Sequence, residues 1–408
     1  MSNTNPALPL AGYKVIDLTT FLSGPFCTQV LADLGAEVVK IEAPEGDSSR
    51  TIPPHFVGDD SAYYLSINRN KRSLAVNLKT PEGLGIVKQL IQKADVVVEN
   101  YRPGVATRLG LDPKLMCESN PSLVWASISG FGQTGPDRDK PAYDMIVQAL
   151  SGVMSLTGEE GRPAVRLGIP AGDTVAGLYA AIAINAALAD RERTGTGRII
   201  DVAMLDCQLA MLSYQSAYAL IADVTPAPQG ARHDSIPTYR SFKGGDGREL
   251  VVTANTERMW QGLCRVLGLE HLIDDDRFSN GASRLENKHA LWDLLESAFA
   301  TQPAAYWIPL LEENGVPVAL INSVPEALEH ARDAQRDMIL NLHNDEHQIN
   351  VVGNPIKFVG AEKVQASYPP KRGADDTQVL SEWLQLSPEA VAGLQNQGVL
   401  VNSTYQKA

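Results

Sequence analysis

The sequence predicts an α/β fold, with a doubly wound, mostly parallel sheet in a large domain and a smaller α+β domain. In the first half of the chain, short apolar runs of strand length alternate with helical stretches, which is typical of βαβ units. The pattern then changes to a hairpin followed by helices. A length of 408 residues, with 44% hydrophobic and 20% charged residues, also suits two globular domains.

The elements of the first half are predicted in a strand–helix order. A buried strand at residues 14–18 precedes a helix at 24–35, which ends at Gly35 because glycine suits the left-handed position after a helix. Thr80 and Pro81 open a later helix as its cap and first residue. The further strands are expected at residues 37–42, 73–78, 95–99, 123–129 and 198–203.

The second half begins with a stretch rich in Pro, Ala and Gly at residues 222–237, which indicates a connector. Strand-like runs then flank the Gly-Gly-Asp-Gly sequence at 244–247 and predict a hairpin. Helices are expected at residues 257–267, 285–300 and 304–314, and closing helices near 379–386 and 388–395 are expected to return to the first domain.

Composition and missing motifs exclude several classes. The net charge of −13 argues against nucleic acid and anionic membranes as partners. Without a CxxC pair, a GxSxG elbow, a Walker loop or paired histidines, we expect reduced thiols, no metal and no permanently bound cofactor. The turn after the first strand lacks GxGxxG, which disfavours a nicotinamide cofactor. We see no signal peptide and no apolar run of membrane-spanning length, so a cytoplasmic protein is expected.

Asp173 is the most informative residue. Gly172 precedes it, and a long apolar helix follows it to about residue 189. One interpretation is an N-cap, because an Asp oxygen accepts a free N–H of the first helical turn. The other is a nucleophilic carboxylate with glycine amides nearby to hold an oxyanion.

Basic residues concentrate near the third predicted strand and after the fourth, and ligands of doubly wound sheets bind beyond the carboxyl ends of strands. Tyr101 could pack against an adenine ring and Arg108 could pair with phosphates. The alternative is that these charges are solvated surface groups. The basic residues concerned are Arg69, Lys71, Arg72, Lys79, Arg102 and Arg108.

Several segments together resemble the class III CoA-transferases of the CaiB/BaiF type, from about Leu10 to Pro355. They include Leu-Ala-Asp-Leu-Gly-Ala-Glu at residues 31–37, Asn-Arg-Asn-Lys-Arg at 68–72, Glu-Asn-Tyr-Arg-Pro-Gly at 99–104, Gly-Phe-Gly-Gln-Thr-Gly-Pro at 130–136 and Ala-Gly-Asp at 171–173. The resemblance implies transfer of CoA between carboxylic acids, with CoA thioesters as substrates and Asp173 as the catalytic residue that forms an aspartyl-CoA thioester.

The same resemblance implies a set of CoA contacts by position. Ala43 stands where the family has a basic residue, and a glycine run of one member's mobile loop is absent near Gln229. The implied CoA contacts are Phe21, Lys79, Asn100, Tyr101, Arg108, Lys140 and Tyr143.

The resemblance also bears on the substrate. Tyr143 stands where the family's racemases have His, and Tyr is a poor base near neutral pH, so a transferase is favoured over a 2-methylacyl-CoA racemase. The segment 56–71 looks most like the branch that uses dicarboxylates, with succinyl-CoA as donor. A second substrate carboxylate needs a polar partner, and the candidates are Tyr143, Arg166, Arg232 and His233.

For the whole chain, the resemblance implies a homodimer of interlocked rings. We expect a large CoA-binding, Rossmann-like domain at residues 1–221, completed by 335–408. The connector at 222–237 would lead to a small α+β domain at 238–334. Outside the family, the alternative is a non-catalytic regulatory protein that binds CoA or a nucleotide and does not need Asp173.

Overall fold

A computed structural model of the chain describes residues 8–360 and 365–401. The chain divides into two compact units. The first comprises Met1–Val153, Arg166–Val224 and Gln335–Ala408, and the second comprises Met154–Val165 and Thr225–Ala334. The expectations for residues 1–7 and 402–408 lie outside the described residues.

Strands and helices follow one another along both units of the chain. The strands are β1 (Lys14–Asp17), β2 (Glu37–Glu42), β3 (Phe56–Val57), β4 (Asp60–Ser61), β5 (Lys71–Ala75), β6 (Val96–Glu99), β7 (Val124–Ser129), β8 (Ile199–Ala203), β9 (Tyr239–Lys243), β10 (Glu249–Thr253), β11 (Val318–Leu320), β12 (Ile339–His343) and β13 (Gln348–Val352). The helices are α1 (Ser23–Asp33), α2 (Ala62–Ser66), α3 (Pro81–Lys93), α4 (Val105–Arg108), α5 (Pro113–Ser119), α6 (Asp144–Leu150), α7 (Val153–Leu156), α8 (Ala171–Thr194), α9 (Met204–Met211), α10 (Tyr214–Ala222), α11 (Glu257–Leu267), α12 (Gly281–Glu286), α13 (Lys288–Phe299), α14 (Ala304–Glu313), α15 (Val324–Asp333), α16 (Asp376–Leu384) and α17 (Pro388–Asn396).

The first unit is built on a six-stranded sheet in the order β5-β2-β1-β6-β7-β8. Every neighbouring pair in it is parallel, which confirms the predicted α/β fold. The strand order reverses between β1 and β6, and ligands of such sheets bind in the crevice beyond the carboxyl ends at this point. The prediction for β5 was two to three residues out of place, since the strand spans Lys71–Ala75 and the next residue, Val76, forms an antiparallel bridge with Leu400.

Both faces of the sheet are covered by helices, because successive residues of a strand point to opposite faces. Val15 packs in the cluster that contains Cys27 of α1 and Ile184 of α8. Ile16 packs in the cluster on the other face, which contains Leu90 of α3 together with α16 and α17 side chains.

Helix α8 lies against α1 through small residues. A side chain at Gly177 would place its Cβ 2.6 Å from the backbone oxygen of Ser23, so only glycine allows this approach. Contrary to the sequence expectation, α8 is long and apolar enough to cross a membrane by length and composition. Half of its apolar window is buried within the protein.

The second unit contains the antiparallel sheet β11-β10-β9, with a core that includes Trp260 and Phe299. The hairpin prediction is confirmed, because β9 and β10 are antiparallel neighbours. They pair from Lys243 with Glu249, next to the turn, to Tyr239 with Thr253 at the open end. The helix predicted at residues 285–300 is confirmed as α13, Lys288–Phe299, whereas residues 285–286 belong to the preceding helix α12.

Candidate active site

Asp173 is the third residue of α8 and is partly buried. The helix begins at Ala171, and its N-cap position is Pro170, which supplies no side-chain hydrogen bond. The N-cap interpretation of Asp173 is therefore wrong, because the helix starts two residues before it. The position still favours a carboxylate, since the amides of a first turn carry partial positive charge.

The missing cap of α8 is replaced by Asp144, the first residue of α6. Its Oδ1 accepts a hydrogen bond from the Gly172 amide at 2.7 Å, and its Oδ2 accepts one from Gln148 Nε2 at 2.7 Å. Gln148 Oε1 in turn accepts the Leu167 amide at 2.9 Å, so the loop before α8 is held as well. Sequence reasoning named Tyr143 as a site residue but not Asp144, although Ala-Tyr-Asp at residues 142–144 is one of the segments that resemble the family.

Burial raises the pKa of Asp173 to about 7, and repulsion by the nearby Asp144 carboxylate adds to this. The side chain and backbone N–H of Ser23, which lie near the carboxylate, lower the pKa and so act in the opposite direction. A carboxylate with a strongly raised pKa at the ligand-binding edge of a parallel sheet is a functional-site candidate.

Tyr63 of α2 is a second residue that sequence reasoning missed. Burial raises its pKa to about 12, and the negative charges of Asp173, Asp47 and Asp144 contribute. Among the residues described, its hydroxyl has no hydrogen-bond partner. Tyr63 therefore places a protonated phenol within electrostatic reach of Asp173, where it can donate to an incoming oxygen.

Three of the predicted CoA residues lie at the carboxyl ends of the adjacent strands β1 and β6. Phe21 is 40% exposed and has a left-handed backbone φ of 62°. Asn100 is partly buried and hydrogen-bonded to Thr20. Tyr101 packs partly against the core, and burial raises the pKa of its hydroxyl.

The other predicted CoA residues are exposed. Lys79 lies in the loop after β5, and Arg108 ends α4. Lys140 forms an ion pair with Asp137 at 2.8 Å. Tyr143 is 69% exposed at the N-cap position of α6.

Half of the predicted basic cluster is committed to internal ion pairs. These charges hold the sheet and its helices together and are not solvated surface groups. The pairs are Arg69 with Asp33 at 2.5 Å, Lys71 with Asp17 at 3.0 Å, and Arg72 with Glu37 at 2.7 Å. Lys79, Arg102 and Arg108 are exposed and stay available to an anionic ligand.

The predicted partners of a second substrate carboxylate lie in both units. Arg166, in the first unit, is exposed and donates to the Leu167 oxygen at 3.2 Å. In the second unit, Arg232 pairs with Glu159 at 3.1 Å, and the His233 ring stacks on Tyr239 with centroids 5.6 Å apart. Their role toward a substrate stays a prediction.

Comparison with known proteins gives a consistent result. The sequence model of the CoA-transferase family III matches residues 10–376. The human succinyl-CoA:glutarate CoA-transferase is 38% identical over 98% of this chain and 91% of its own length. The acetyl-CoA:oxalate CoA-transferase of Acetobacter aceti is 40% identical over 88% of this chain and 92% of its own. A CaiB/BaiF family crystal structure from Brucella suis superposes with a TM-score of 0.84 at 34% identity, covering 93% of this chain and 100% of the other.

Proposed function

This chain belongs to the CoA-transferase family III, and we propose that it transfers CoA from succinyl-CoA to a small dicarboxylic acid through a thioester on Asp173. The observation that carries the proposal is the Asp173 carboxylate itself. It is partly buried in the first turn of α8, and burial and Asp144 raise its pKa to about 7. The relatives named for glutarate and oxalate support a dicarboxylate as acceptor.

The proposed reaction begins when an Asp173 oxygen attacks the thioester carbonyl carbon of the donor. The C–S bond breaks, and a mixed anhydride and CoA thiolate result. The thiolate then attacks the Asp173 carbonyl of the anhydride, which releases the donor acid as a carboxylate and leaves an aspartyl-CoA thioester. The acceptor carboxylate attacks this thioester and repeats the two steps in reverse, so that Asp173 is regenerated.

Each attack creates an oxyanion that needs hydrogen-bond donors already in place. Ser23, at the N-terminus of α1, lies near enough to Asp173 to lower the pKa of its carboxyl group. Tyr63 stays protonated at neutral pH, because its pKa is raised to about 12, and its hydroxyl has no partner among the described residues. We propose that Ser23 orients the nucleophile and that the Tyr63 hydroxyl stabilises the negative charge that develops on the substrate oxygen.

CoA is proposed to bind along the carboxyl edge of the six-stranded sheet. Phe21 and Tyr101 present aromatic surface there for the adenine, and Lys79 and Arg108 are exposed cations for the phosphates. Lys140 and Tyr143 are further predicted contacts. CoA thioesters would be substrates in this scheme, with no permanently bound cofactor.

A second substrate carboxylate is proposed to be recognised by Tyr143, Arg166, Arg232 or His233. Tyr143 is a phenol and not an imidazole, so it does not supply the second proton-transfer group that racemisation needs. The expected preference is for succinate, glutarate and unsaturated C5 diacids over monocarboxylates of equal length. Exchange of the substrate α-proton in deuterated water at the transfer rate would contradict this assignment.

A homodimer of interlocked rings is proposed as the assembled form, and the cytoplasm as its location. The support for a dimer is apolar surface in the first unit that a lone chain leaves in water. Large exposed patches of this kind mark protein interfaces. The exposed apolar residues lie on α6, α8 and α10 and include Met145, Ile146, Leu150, Leu178, Ile182, Leu220 and Ile221.

The test of the proposed function is to trap the enzyme intermediate. After incubation with succinyl-CoA alone, hydroxylamine should modify Asp173, and peptide mass spectrometry should locate the modified residue. Asp173→Ala should abolish CoA transfer while CoA still binds. An Asp173→Ala enzyme that keeps a near-normal transfer rate would refute the mechanism, and a wild type that forms no new thioester with any diacid would refute the substrate class.

A further inference from the structure

We propose that Asn100 is a positioning residue that clamps the turn after β1, residues 19–23, and through Ser23 orients Asp173. This inference rests on the proposed nucleophilic role of Asp173. It differs from the expectation that Asn100 contacts CoA. The relevant contacts are the hydrogen bonds of the Asn100 side-chain amide with Thr20 and Ser23.

The side-chain amide of Asn100 is fully used within the protein. Its Oδ1 accepts the Thr20 N–H at 2.9 Å, and its Nδ2 donates to the Thr20 oxygen at 2.8 Å and to Ser23 Oγ at 3.4 Å. Both N–H groups and the oxygen therefore have partners before any ligand binds. The contact is possible because β1 and β6 are parallel neighbours, which brings residues 80 positions apart to one edge of the sheet.

The turn that Asn100 holds is strained. Phe21 has a φ of 62°, a left-handed conformation that is rare for a bulky side chain and persists only when its surroundings enforce it. On one side of Phe21, Lys40 Nζ donates to the Thr19 oxygen at 2.7 Å. The Phe21 amide itself donates to Asp47 at 3.3 Å, and Lys40 and Asp47 form a buried ion pair at 2.7 Å.

Asn100 fixes the turn on the other side of Phe21, where the chain enters α1. Ser23 accepts the Asn100 N–H with its hydroxyl oxygen, and its backbone oxygen lies against Gly177 of α8, one helical turn after Asp173. The hydroxyl and amide of Ser23 also lie near enough to Asp173 to lower the pKa of its carboxyl group. A turn released from Asn100 would shift Ser23 relative to α8 and to the nucleophile that this helix carries.

The experiment separates positioning from CoA binding by comparing kcat with the dissociation constant of CoA. Asn100→Ala should lower kcat by ~10- to 100-fold, the usual effect of a small misplacement of a reacting group, and should leave the CoA dissociation constant, measured by calorimetry, unchanged within about twofold. Asn120→Ala is the matched control, because Asn120 is also partly buried and bonds a backbone oxygen, that of Ala94 at 3.4 Å, at the opposite end of the sheet. This control should keep the wild-type kcat.

A double-mutant cycle with Ser23→Ala tests whether Asn100 acts through Ser23. The double variant should lose no more activity than Asn100→Ala alone, whereas independent roles would multiply the two losses. If Asn100→Ala does not fold, Ser23→Ala must by itself lower kcat without weakening CoA binding. A weakened CoA affinity with normal kcat in the Asn100 variant, or multiplicative losses, would overturn the inference. Failure of the proposed function is distinguishable, because the wild type itself would then form no Asp173 thioester.

Discussion

The surroundings of Asp173 disfavour the ionised form of its side chain. The residue is partly buried and repelled by the Asp144 carboxylate, and the nearby polar groups of Ser23 do not offset these effects, so its pKa is raised to about 7. A carboxylate held in this way is less solvated than a surface aspartate and therefore a better nucleophile. The same arrangement costs stability, as expected where a site is organised for chemistry.

The stability cost predicts a pH-dependent effect of Asp173→Asn. Because the pKa of Asp173 is higher in the folded protein than its ordinary 3.8, ionisation destabilises the fold, with no cost below about pH 4 and the full cost above pH 7. The variant should therefore melt at a higher temperature than the wild type at pH 8 and at the same temperature at pH 4. Asp206→Asn, at an exposed position on α9, is the control and should show no such difference. Equal melting temperatures of the Asp173 variant and wild type at pH 8 would contradict the assignment.

The charge of Asp144 predicts a shift in the pH–rate profile. The wild-type kcat/KM should fall as the pH drops below about 7, because Asp173 must be ionised to attack. In Asp144→Asn an amide oxygen can still accept the Gly172 N–H, but the repulsion is gone, so the acid limb should move to lower pH. The measured quantity is the pH at the midpoint of the acid limb of kcat/KM. A general loss of activity would lower the whole profile without moving this midpoint. A midpoint that stays in place would show that Asp144 does not tune the nucleophile.

At the scale of elements, three helices place residues at or near the Asp173 carboxylate. Helix α8 presents Asp173 in its first turn, α6 supplies the carboxylate that caps α8, and the start of α1 places Ser23 near Asp173. These elements approach closely because glycines occupy the contacts. Gly177 of α8 lies against Ser23 of α1. Gly172, in the first turn of α8, lies against side chains of α6 and α9.

The contact at Gly172 predicts that alanine is not tolerated there, although alanine favours helices by about 1 kcal/mol over glycine. A Cβ at residue 172 would lie 2.5 Å from Gln208 Nε2 and 2.9 Å from Asp144 Oδ1. Gln208 is buried and held by Ser151 at 2.7 Å, so it has little room to withdraw. Gly172→Ala should lower kcat and cost about 1–3 kcal/mol of unfolding free energy.

The matched control is Gly168→Ala, four residues earlier in the loop before α8. A Cβ at residue 168 would meet nothing within 4 Å. This variant should have the wild-type kcat and urea midpoint. A Gly172→Ala protein with both quantities unchanged would show that α8 can shift without disturbing Asp173.

At the scale of the whole molecule, the first unit protects one edge of its main sheet and leaves apolar surface elsewhere. Edge strand β5 donates its Ser73 and Ala75 amides to the carboxylates of Asp375 and Asp376, at 2.8 and 3.1 Å. Such cover prevents edge-to-edge association. Apolar helix surface has no comparable cover in a single chain.

The exposed surface of α10 predicts a stable dimer. Leu220 and Ile221 are 85% and 84% exposed, which is costly in water unless a second copy covers them. Sedimentation should show a dimer that dilution does not convert to folded monomer. The double substitution Leu220→Lys and Ile221→Lys should weaken or abolish it, whereas Leu115→Lys, at an isolated position on α5 that is 59% exposed, should not. A reversible monomer–dimer equilibrium in the wild type would contradict interlocked chains.

The sequence by itself determined the α/β class, most strands and helices of the first unit, the β9–β10 hairpin and the family. These features depend on local patterns: apolar runs of strand length, Thr80-Pro81 before α3, and the Ala-Gly-Asp segment around Asp173. A local pattern is written in consecutive residues, so it is readable before the chain is folded.

Only the tertiary structure decided what the polar residues of the site do. Arg69, Lys71 and Arg72 are committed to ion pairs and Asn100 to a turn, while Asp144 and Tyr63 lie near Asp173 although the sequence alone assigned neither of them a role. Each of these roles depends on a partner tens of residues away, brought close by strand order and helix packing. Burial and charge repulsion arise from that proximity, and neither is a property of the sequence near the residue itself.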